Sequence, residues 1–237
     1  MIHPQDRKVI QTISHPGENL SPQLLALLVF IMEIVSSFIS ILVGYQASKG
    51  YKASSAKGFL FLYMGFMVLG VGIFLRAITA VFFVLAIRTT ETLPSSLVSL
   101  SNVAGIIFTV TQLGAYSLFT VTYAFQARSL GQRDLEVVGT VAAAVFPIAR
   151  LFYIPALELL AISMLGFVTV SSLTHWLHQK TLASALVFIG FGFMLFSHLL
   201  FLFMIFDEVL LFFGQLVQLA GFMCLLIMLA KVNRTRV

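Results

Sequence analysis

Long apolar segments, separated by short clusters of charged or turn-forming residues, make up most of the chain. A helix needs about 20 apolar residues to cross the roughly 30 Å hydrocarbon core of a bilayer, at about 1.5 Å per residue. Segments of this kind predict seven spans, at about residues 23–47, 58–87, 96–125, 135–149, 155–176, 182–206 and 209–230. The pattern therefore predicts an all-α, polytopic integral membrane protein with seven transmembrane helices.

The boundary between the fourth and fifth spans is the least obvious one. Residues 137–174 form an apolar run of 38 residues, interrupted only by Pro147, Arg150, Pro155 and Glu158. A single helix of that length would measure about 57 Å, nearly twice the hydrocarbon thickness. Proline is tolerated in the first turn of a helix, where its missing N–H would have no partner. Two helices joined by a tight turn near residues 150–155 are therefore predicted.

The distribution of basic residues predicts which helix ends face the cytoplasm. With seven spans and the N-terminus outside, the cytoplasmic segments hold nine Lys or Arg residues and the outer segments four. This excess agrees with the positive-inside tendency. Residues 1–22 are then a short polar extracytoplasmic tail without the apolar core of a signal peptide. Residues 23–230 form the seven-helix domain, residues 231–237 a short basic cytoplasmic tail, and the predicted location is the cell membrane.

Composition excludes several other classes of protein. Hydrophobic residues make up 59% of the chain and charged residues 10%, whereas a soluble domain carries about 25% charged residues. A soluble globular protein and a disordered chain are therefore excluded. The net charge of +5 is explained by basic cytoplasmic loops, and the chain has no direct nucleic-acid-binding motif. Its first predicted partner is the lipid bilayer.

Short self-matches predict an internal repeat. An offset of 125 residues aligns Glu33 with Glu158 and Gly65-Phe66 with Gly190-Phe191. An offset of 106 residues aligns residues 111–116 (TQLGAY) with residues 217–222 (VQLAGF), and Ala124 with Ala230. Spans one to three would then correspond to spans five to seven, with span four as connector. Equivalent spans have the same orientation, so this is a parallel repeat; the alternative is coincidence among Leu, Phe and Gly.

This three-plus-one-plus-three plan resembles that of the small sugar transporters of the SWEET type and, more distantly, that of the opsins. The resemblance concerns the arrangement of helices. The predicted seventh span has no lysine of the kind that holds retinal in opsins. No functional residue is therefore carried over from either family.

Ionisable side chains inside the predicted spans lie at a common level. By helical rise, Glu33 and His198 lie about 24 Å and Arg76 about 27 Å above the cytoplasmic ends of their helices, and Glu158 and Arg150 flank the turn on the outer side. A charge at the bilayer centre costs about 2.5–3.5 kcal/mol on insertion scales, so each needs a partner or a function. One hypothesis is an outward-opening polar pocket that binds a cation, relays a proton or holds a small zwitterion.

The alternative hypothesis for these residues is purely structural. Arg76 and Arg150 would pair with Glu33 and Glu158 to fix helix packing, and His198 would be a hydrogen-bonded packing residue. The third span raises the same question, because Asn102 and Gln112 carry amides that cost several kcal/mol when unpaired in hydrocarbon. This span is either a central helix buried by its neighbours or a helix that lines a water-filled path.

The motifs that the sequence lacks restrict the range of possible functions. The chain contains no Walker loop, dinucleotide fingerprint, H-E-x-x-H or G-x-S-x-G sequence. We therefore expect no enzymatic activity, no catalytic residue, no metal and no cofactor. The first hypothesis is a membrane transport component whose energy comes from a gradient or a partner ATPase. The alternative is a membrane sensor or adaptor that binds an extracytoplasmic ligand and signals to a cytoplasmic partner; a second copy of the chain is a further candidate partner.

Overall fold

The computed structural model describes residues 22–89, 95–128, 155–204, 206–207 and 209–234. These residues form six helices, numbered here along the chain: α1 Pro22–Ser54, α2 Lys57–Thr89, α3 Ser95–Arg128, α4 Pro155–Gln179, α5 Leu182–Phe203 and α6 Val209–Arg234. All six are long and apolar enough to cross a membrane. The chain is therefore an all-α, multi-pass membrane protein.

Six of the seven predicted spans coincide with these helices, and the predicted fourth span, 135–149, lies outside the described residues. Two helix ends differ from the prediction. Helix α1 continues past residue 47 to Ser54, and α6 continues past Ala230 to Arg234, into the predicted tail. Lysine and arginine are good helix formers, so basic residues mark where a helix leaves the hydrocarbon and not where it ends.

The described helices form a closed ring in which each packs against its neighbours in sequence and α6 packs against α1. Consecutive helices within α1–α3 and within α4–α6 run antiparallel. Helices α3 and α4 run in the same direction, because Ser117 lies beside Met164 and, further along both helices, Thr122 and Ser172 line one cavity. Helices α6 and α1 also run in the same direction, since Asn233 near the end of α6 donates to Gln46 near the end of α1.

Two short turns of the same form lie at one end of the ring, which we call the turn end. The α1–α2 turn contains Ser55 and the α4–α5 turn contains Lys180, with φ of 53° and 50°. The backbone N–H of each donates to the carbonyl four residues earlier, that of Tyr51 and that of Trp176, both at 2.7 Å. A residue in the left-handed region closes many helices in this way.

Aromatic rings fill the middle of the ring. Phe66, Phe119, Phe191 and Phe222, from α2, α3, α5 and α6, are all fully buried. The ring centroids of Phe66 and Phe119 are 4.6 Å apart, those of Phe119 and Phe191 5.6 Å, and those of Phe66 and Phe222 6.1 Å. These spacings are typical of favourable aromatic pairs. We call the four residues the aromatic plug.

Candidate functional site

An ion pair joins α1 and α2 in the half of the bundle away from the turn end. The Nη2 atom of Arg76 lies 2.8 Å from Oε1 of Glu33, and the two side chains are 30% and 8% exposed. The guanidinium also lies over the ring of Phe108 on α3, 4.0 Å from its centroid. A cation over an aromatic face is attracted by the ring quadrupole. Arg76 is thus held by both of its neighbouring helices.

A second polar cluster joins α4, α5 and α3. His198 on α5 is completely buried, and its Nδ1 lies 2.6 Å from Oε2 of Glu158 on α4. Its Nε2 lies 2.5 Å from the hydroxyl of Tyr116 and 3.2 Å from Nε2 of Gln112, both on α3. The Gln112 amide also donates to the Tyr116 hydroxyl at 3.3 Å. A continuous hydrogen-bonded path therefore runs from a carboxylate through an imidazole to a phenol.

Helix α3 brings the two clusters together. Phe108, Gln112 and Tyr116 are spaced four residues apart and share one face of the helix. The first contacts Arg76 and the other two contact His198. The Tyr116 hydroxyl is also close enough to both Arg76 and Glu158 to interact electrostatically with their charges. We call the six side chains at this level the polar layer: Glu33, Arg76, Gln112, Tyr116, Glu158 and His198.

Some buried polar atoms have no hydrogen-bond partner. In the described residues these are Ser36 Oγ, Arg76 Nε, Thr169 Oγ1, Gln215 Nε2 and Gln215 Oε1. Gln215 is 1% exposed and lies two helical turns from Phe222 of the plug on the same face of α6. An unpaired buried amide costs about 1–3 kcal/mol, and such groups commonly meet water or a ligand. The half of the bundle that contains the polar layer therefore has spare hydrogen-bonding capacity.

A cavity of about 620 Å³ lies at the turn end, and we call it the vestibule. Its polar lining includes Lys57, Thr122, Tyr123, Ser172, His175 and Ser184, and none of its described lining residues is acidic. Leu62, Tyr123 and Val187 also line it, each about one helical turn from a member of the plug. The plug therefore separates the vestibule from the polar layer.

The structure brings five of the seven predicted site residues into one layer: Glu33, Arg76, Gln112, Glu158 and His198. The backbone of Asn102 belongs to α3, but its side chain and the whole of Arg150 lie outside the described residues. The predicted pairing of Arg76 with Glu33 is present, whereas the partner that the structure describes for Glu158 is His198. In the described part of the chain, no three His, Cys, Asp or Glu side chains lie close enough together to hold a metal ion.

Sequence reasoning missed Tyr116 and Phe108 as members of the site. Both lie four residues from Gln112, so a search along the helical face of a predicted buried amide would have found them. The self-matches of the sequence include Phe66, Phe191 and Phe222, but they do not identify these residues, among 24 phenylalanines, as one buried cluster. Only the tertiary contacts separate the four plug residues from the lipid-facing rings.

Replacing Tyr116 with phenylalanine is expected to lower the free energy of unfolding by about 1 kcal/mol, because His198 Nε2 loses its hydroxyl partner. The matched control is Tyr123→Phe, on the same helix, since the Tyr123 side chain borders the vestibule. We expect the control to change stability by less than about half that amount. Thermal unfolding of both variants in detergent checks this; equal losses would mean that the Tyr116 hydroxyl makes no special contribution.

No family model matches the chain, and neither a curated protein nor a solved structure matches it significantly. The resemblance to SWEET-type transporters therefore rests on the predicted helix plan alone.

Proposed function

We propose that this protein is a membrane transport component that moves a small hydrophilic solute along the axis of the helix ring. The observation that carries the proposal is the order of layers along that axis. A vestibule at one end, lined by both polar and apolar residues, is separated by four packed phenylalanine rings from the polar layer, in whose half of the bundle several buried polar atoms have no hydrogen-bond partner. A hydrophobic constriction between two hydrophilic compartments is a common form of gate. If the plug opened alternately towards each side of the membrane, a solute could cross.

The geometry of α1–α2 and α4–α5 supports an internal repeat, a plan shared by many transporters. Ser54 and Gln179 end α1 and α4, and Lys57 and Leu182 begin α2 and α5, in each case 125 residues apart. The left-handed turn residues are separated by the same offset. Contacts between the helices also correspond. A Cβ on Gly44 of α1 would touch Met67 of α2. At the positions equivalent to Gly44 and Met67 stand Thr169 of α4 and Gly192 of α5, and a Cβ on Gly192 would touch Thr169.

The second offset, 106 residues, relates α3 to α6 in the same way. The close approach of Gly65 to Phe119 is matched by that of Gly190 to Leu225. The contact of Arg76 with Phe108 is matched by that of Phe201 with Gly214. These equivalences support two units of three helices, α1–α3 and α4–α6, that pack in parallel around the axis.

The directions of the helices support the seven-helix plan. Because α3 and α4 run the same way, α3 ends and α4 begins at opposite ends of the bundle. The 26 residues between them, 129–154, must therefore link those ends, and a helix of that length would measure about 39 Å, enough for one crossing. We propose that the predicted span at 135–149 makes that crossing as the connector of the two units.

Charge supports the proposed orientation in the cell membrane. At the turn end, seven of the described residues are basic and none is acidic: Lys49, Lys52, Lys57, Arg128, Lys180, Lys231 and Arg234. By the positive-inside tendency this end is cytoplasmic, which places the N-terminus outside and the C-terminus inside. A basic entrance attracts anions and repels cations, so the proposed cargo is a neutral polar or anionic solute. The same surface would suit an ATPase or another cytoplasmic partner.

Cysteine accessibility from each side tests the proposal. In a Cys224→Ser background, a reporter is placed in the vestibule (Ser172→Cys) or beside Glu158 (Ala161→Cys), and oriented proteoliposomes are treated with an impermeant maleimide. Transport requires that each reporter reacts from its own side and that neither compartment stays permanently sealed. If Ala161→Cys never reacts and no ion, sugar or amino acid crosses, transport is wrong and the sensor hypothesis is favoured.

Shortening the plug is expected to make the protein leaky. Phe191→Ala should raise the efflux of a trapped small polar solute from proteoliposomes at least about threefold, because it opens a hydrophobic constriction. Phe193→Ala on the same helix is the control, since that ring is 39% exposed and is expected to face lipid. Equal efflux from the two variants would show that the plug is not the barrier.

A further inference from the structure

We infer that the Glu158–His198 pair is the binding site of a coupling proton, and that the Glu33–Arg76 pair is a permanent ion pair. This inference rests on the proposed transport function and deepens it. It assigns different tasks to two carboxylates that occupy equivalent positions, 125 residues apart, on α1 and α4. The difference lies in the basic partner that each carboxylate meets on the next helix.

The chemistry of the two partners sets the difference. A guanidinium stays protonated at any pH that a protein experiences, so an Arg–Glu pair has a constant charge. Imidazole is the side chain that ordinarily changes charge between about pH 5 and pH 8. Only the second pair can therefore take up and release a proton within the physiological range.

The contacts of His198 fit a neutral imidazole when the donors are assigned as follows. In this assignment Nδ1–H donates to the Glu158 carboxylate at 2.6 Å, and Nε2 accepts the hydroxyl proton of Tyr116. The Gln112 amide donates to the Tyr116 oxygen, and its nitrogen also faces His198 Nε2. Both ring nitrogens and the tyrosine hydroxyl are satisfied in this state. The imidazole is neutral, and the pair carries one negative charge.

The two members of the pair differ in exposure. The Glu158 side chain is 24% exposed, whereas that of His198 is 0% exposed. We assign Glu158 the role of counter-ion and the buried imidazole of His198 that of the proton acceptor.

Uptake of one proton neutralises the pair and changes the hydrogen bonds of α3. The imidazolium keeps Nδ1–H on Glu158 and gains Nε2–H, which donates to the Tyr116 oxygen. The tyrosine hydroxyl proton must then turn to another acceptor, which Gln112 Oε1 provides when its amide rotates. No bond other than the new N–H forms, and no proton leaves. Because the Tyr116 and Phe119 rings are 6.1 Å apart, this change occurs beside the plug.

The charges around His198 favour such a change. Helix α4 contributes Glu158 and α3 contributes Tyr116, while α6 has only uncharged residues between Val209 and Met223. On α2, Arg76 is already paired with Glu33 of α1. With both carboxylates ionised, the layer carries one net negative charge before proton uptake and none afterwards. Removing that charge lowers the barrier for an anionic solute that enters the layer from the vestibule.

The test measures how pH changes the reactivity of the Ser172→Cys vestibule reporter, in the Cys224→Ser background. Between about pH 5.5 and pH 8 we expect the alkylation rate, corrected for the pH dependence of the thiol itself, to change about threefold. His198→Gln and Glu158→Gln should each remove this dependence, whereas Glu33→Gln should keep it. His175→Gln is the matched histidine control and should keep the dependence, since His175 lines the same vestibule as the reporter.

A direct measurement on the protein without substitutions tests the inference even if the variants fail to fold. Nitrogen-15 NMR of histidine-labelled protein without substitutions should show a fully buried imidazole that titrates in the same pH range as the reporter. The inference is wrong if His198 keeps one protonation state throughout, or if His198→Gln keeps the pH dependence. In both cases the proposed transport function is retained if the two cysteine reporters still react from opposite sides of the membrane. Loss of two-sided accessibility at every pH contradicts the transport function itself.

Discussion

Replacing Gly221 with alanine is expected to lower the free energy of unfolding by about 2–3 kcal/mol, the cost of overpacking a tight interior. A Cβ at this position would lie 2.8 Å from the carbonyl oxygen of Gly190, 3.2 Å from Cγ of Met194 and 3.3 Å from the Met194 nitrogen. Two of these atoms are backbone, so no side-chain rotation relieves the clash. The two helices would have to separate. In lipid, such close packing is a principal source of helix association.

The control for Gly221→Ala is Gly166→Ala on α4, where a Cβ would meet nothing within 4 Å. Alanine has the higher helix propensity, so this variant should be as stable as the unsubstituted protein or up to about 1 kcal/mol more stable. Unfolding in mixed detergent micelles, followed by circular dichroism, measures both. A Gly221→Ala variant no less stable than the unsubstituted protein would mean that α5 and α6 do not approach as closely as described.

Replacing Arg76 with glutamine is expected to destabilise the bundle by about 2–3 kcal/mol, because it leaves the Glu33 carboxylate buried without a cationic partner. We expect a smaller destabilisation than is usual on breaking a fully buried ion pair, because the Arg76 side chain is 30% exposed. The double variant Glu33→Gln/Arg76→Gln should recover most of the loss, because two neutral amides need much less solvation than one isolated charge. With the Glu33→Gln single variant measured as well, the loss of the double variant minus the losses of the two single variants gives the coupling energy of the pair.

Arg234→Gln serves as the control for Arg76→Gln, because Arg234 is exposed at the turn end. A solvated surface charge contributes little, so we expect a change within about 0.5 kcal/mol. The same unfolding measurement applies to all four variants. If the losses of the two single variants add up to the loss of the double variant, the ion pair has no net coupling, and Arg76 is held mainly by the Phe108 ring.

Several elements followed from the sequence because they depend on local physics. Helix α4 begins at Pro155 as predicted, since proline suits the first turn of a helix. The common level of Glu33, Arg76 and His198 followed from counting residues, because a constant rise converts position along a helix into depth. The ends of α1 and α6 were predicted too early, because hydropathy reports the solvent around a helix and not its backbone hydrogen bonds.

The partners of the site residues could not be predicted in the same way. The structural hypothesis paired Arg150 with Glu158; Arg150 lies outside the described residues, and the structure places His198 of the next helix against Glu158. The apolar helices present hydrophobic residues on most of their circumference, so the pattern carries little information about which face meets which neighbour. Tyr116 belongs to the site only because of the way α3 is rotated about its own axis, which the sequence pattern does not show.

By itself, the sequence determined that the chain lies in a membrane as several helices, and at what depth its few charged groups are held. Both follow from the transfer of side chains between water and hydrocarbon, which depends on composition and spacing alone. Only the tertiary structure decided which base meets which carboxylate, that four phenylalanines pack together on the axis, and that a cavity lies beyond them. Those features depend on the rotation and order of neighbouring helices, which close packing sets and hydrophobicity does not.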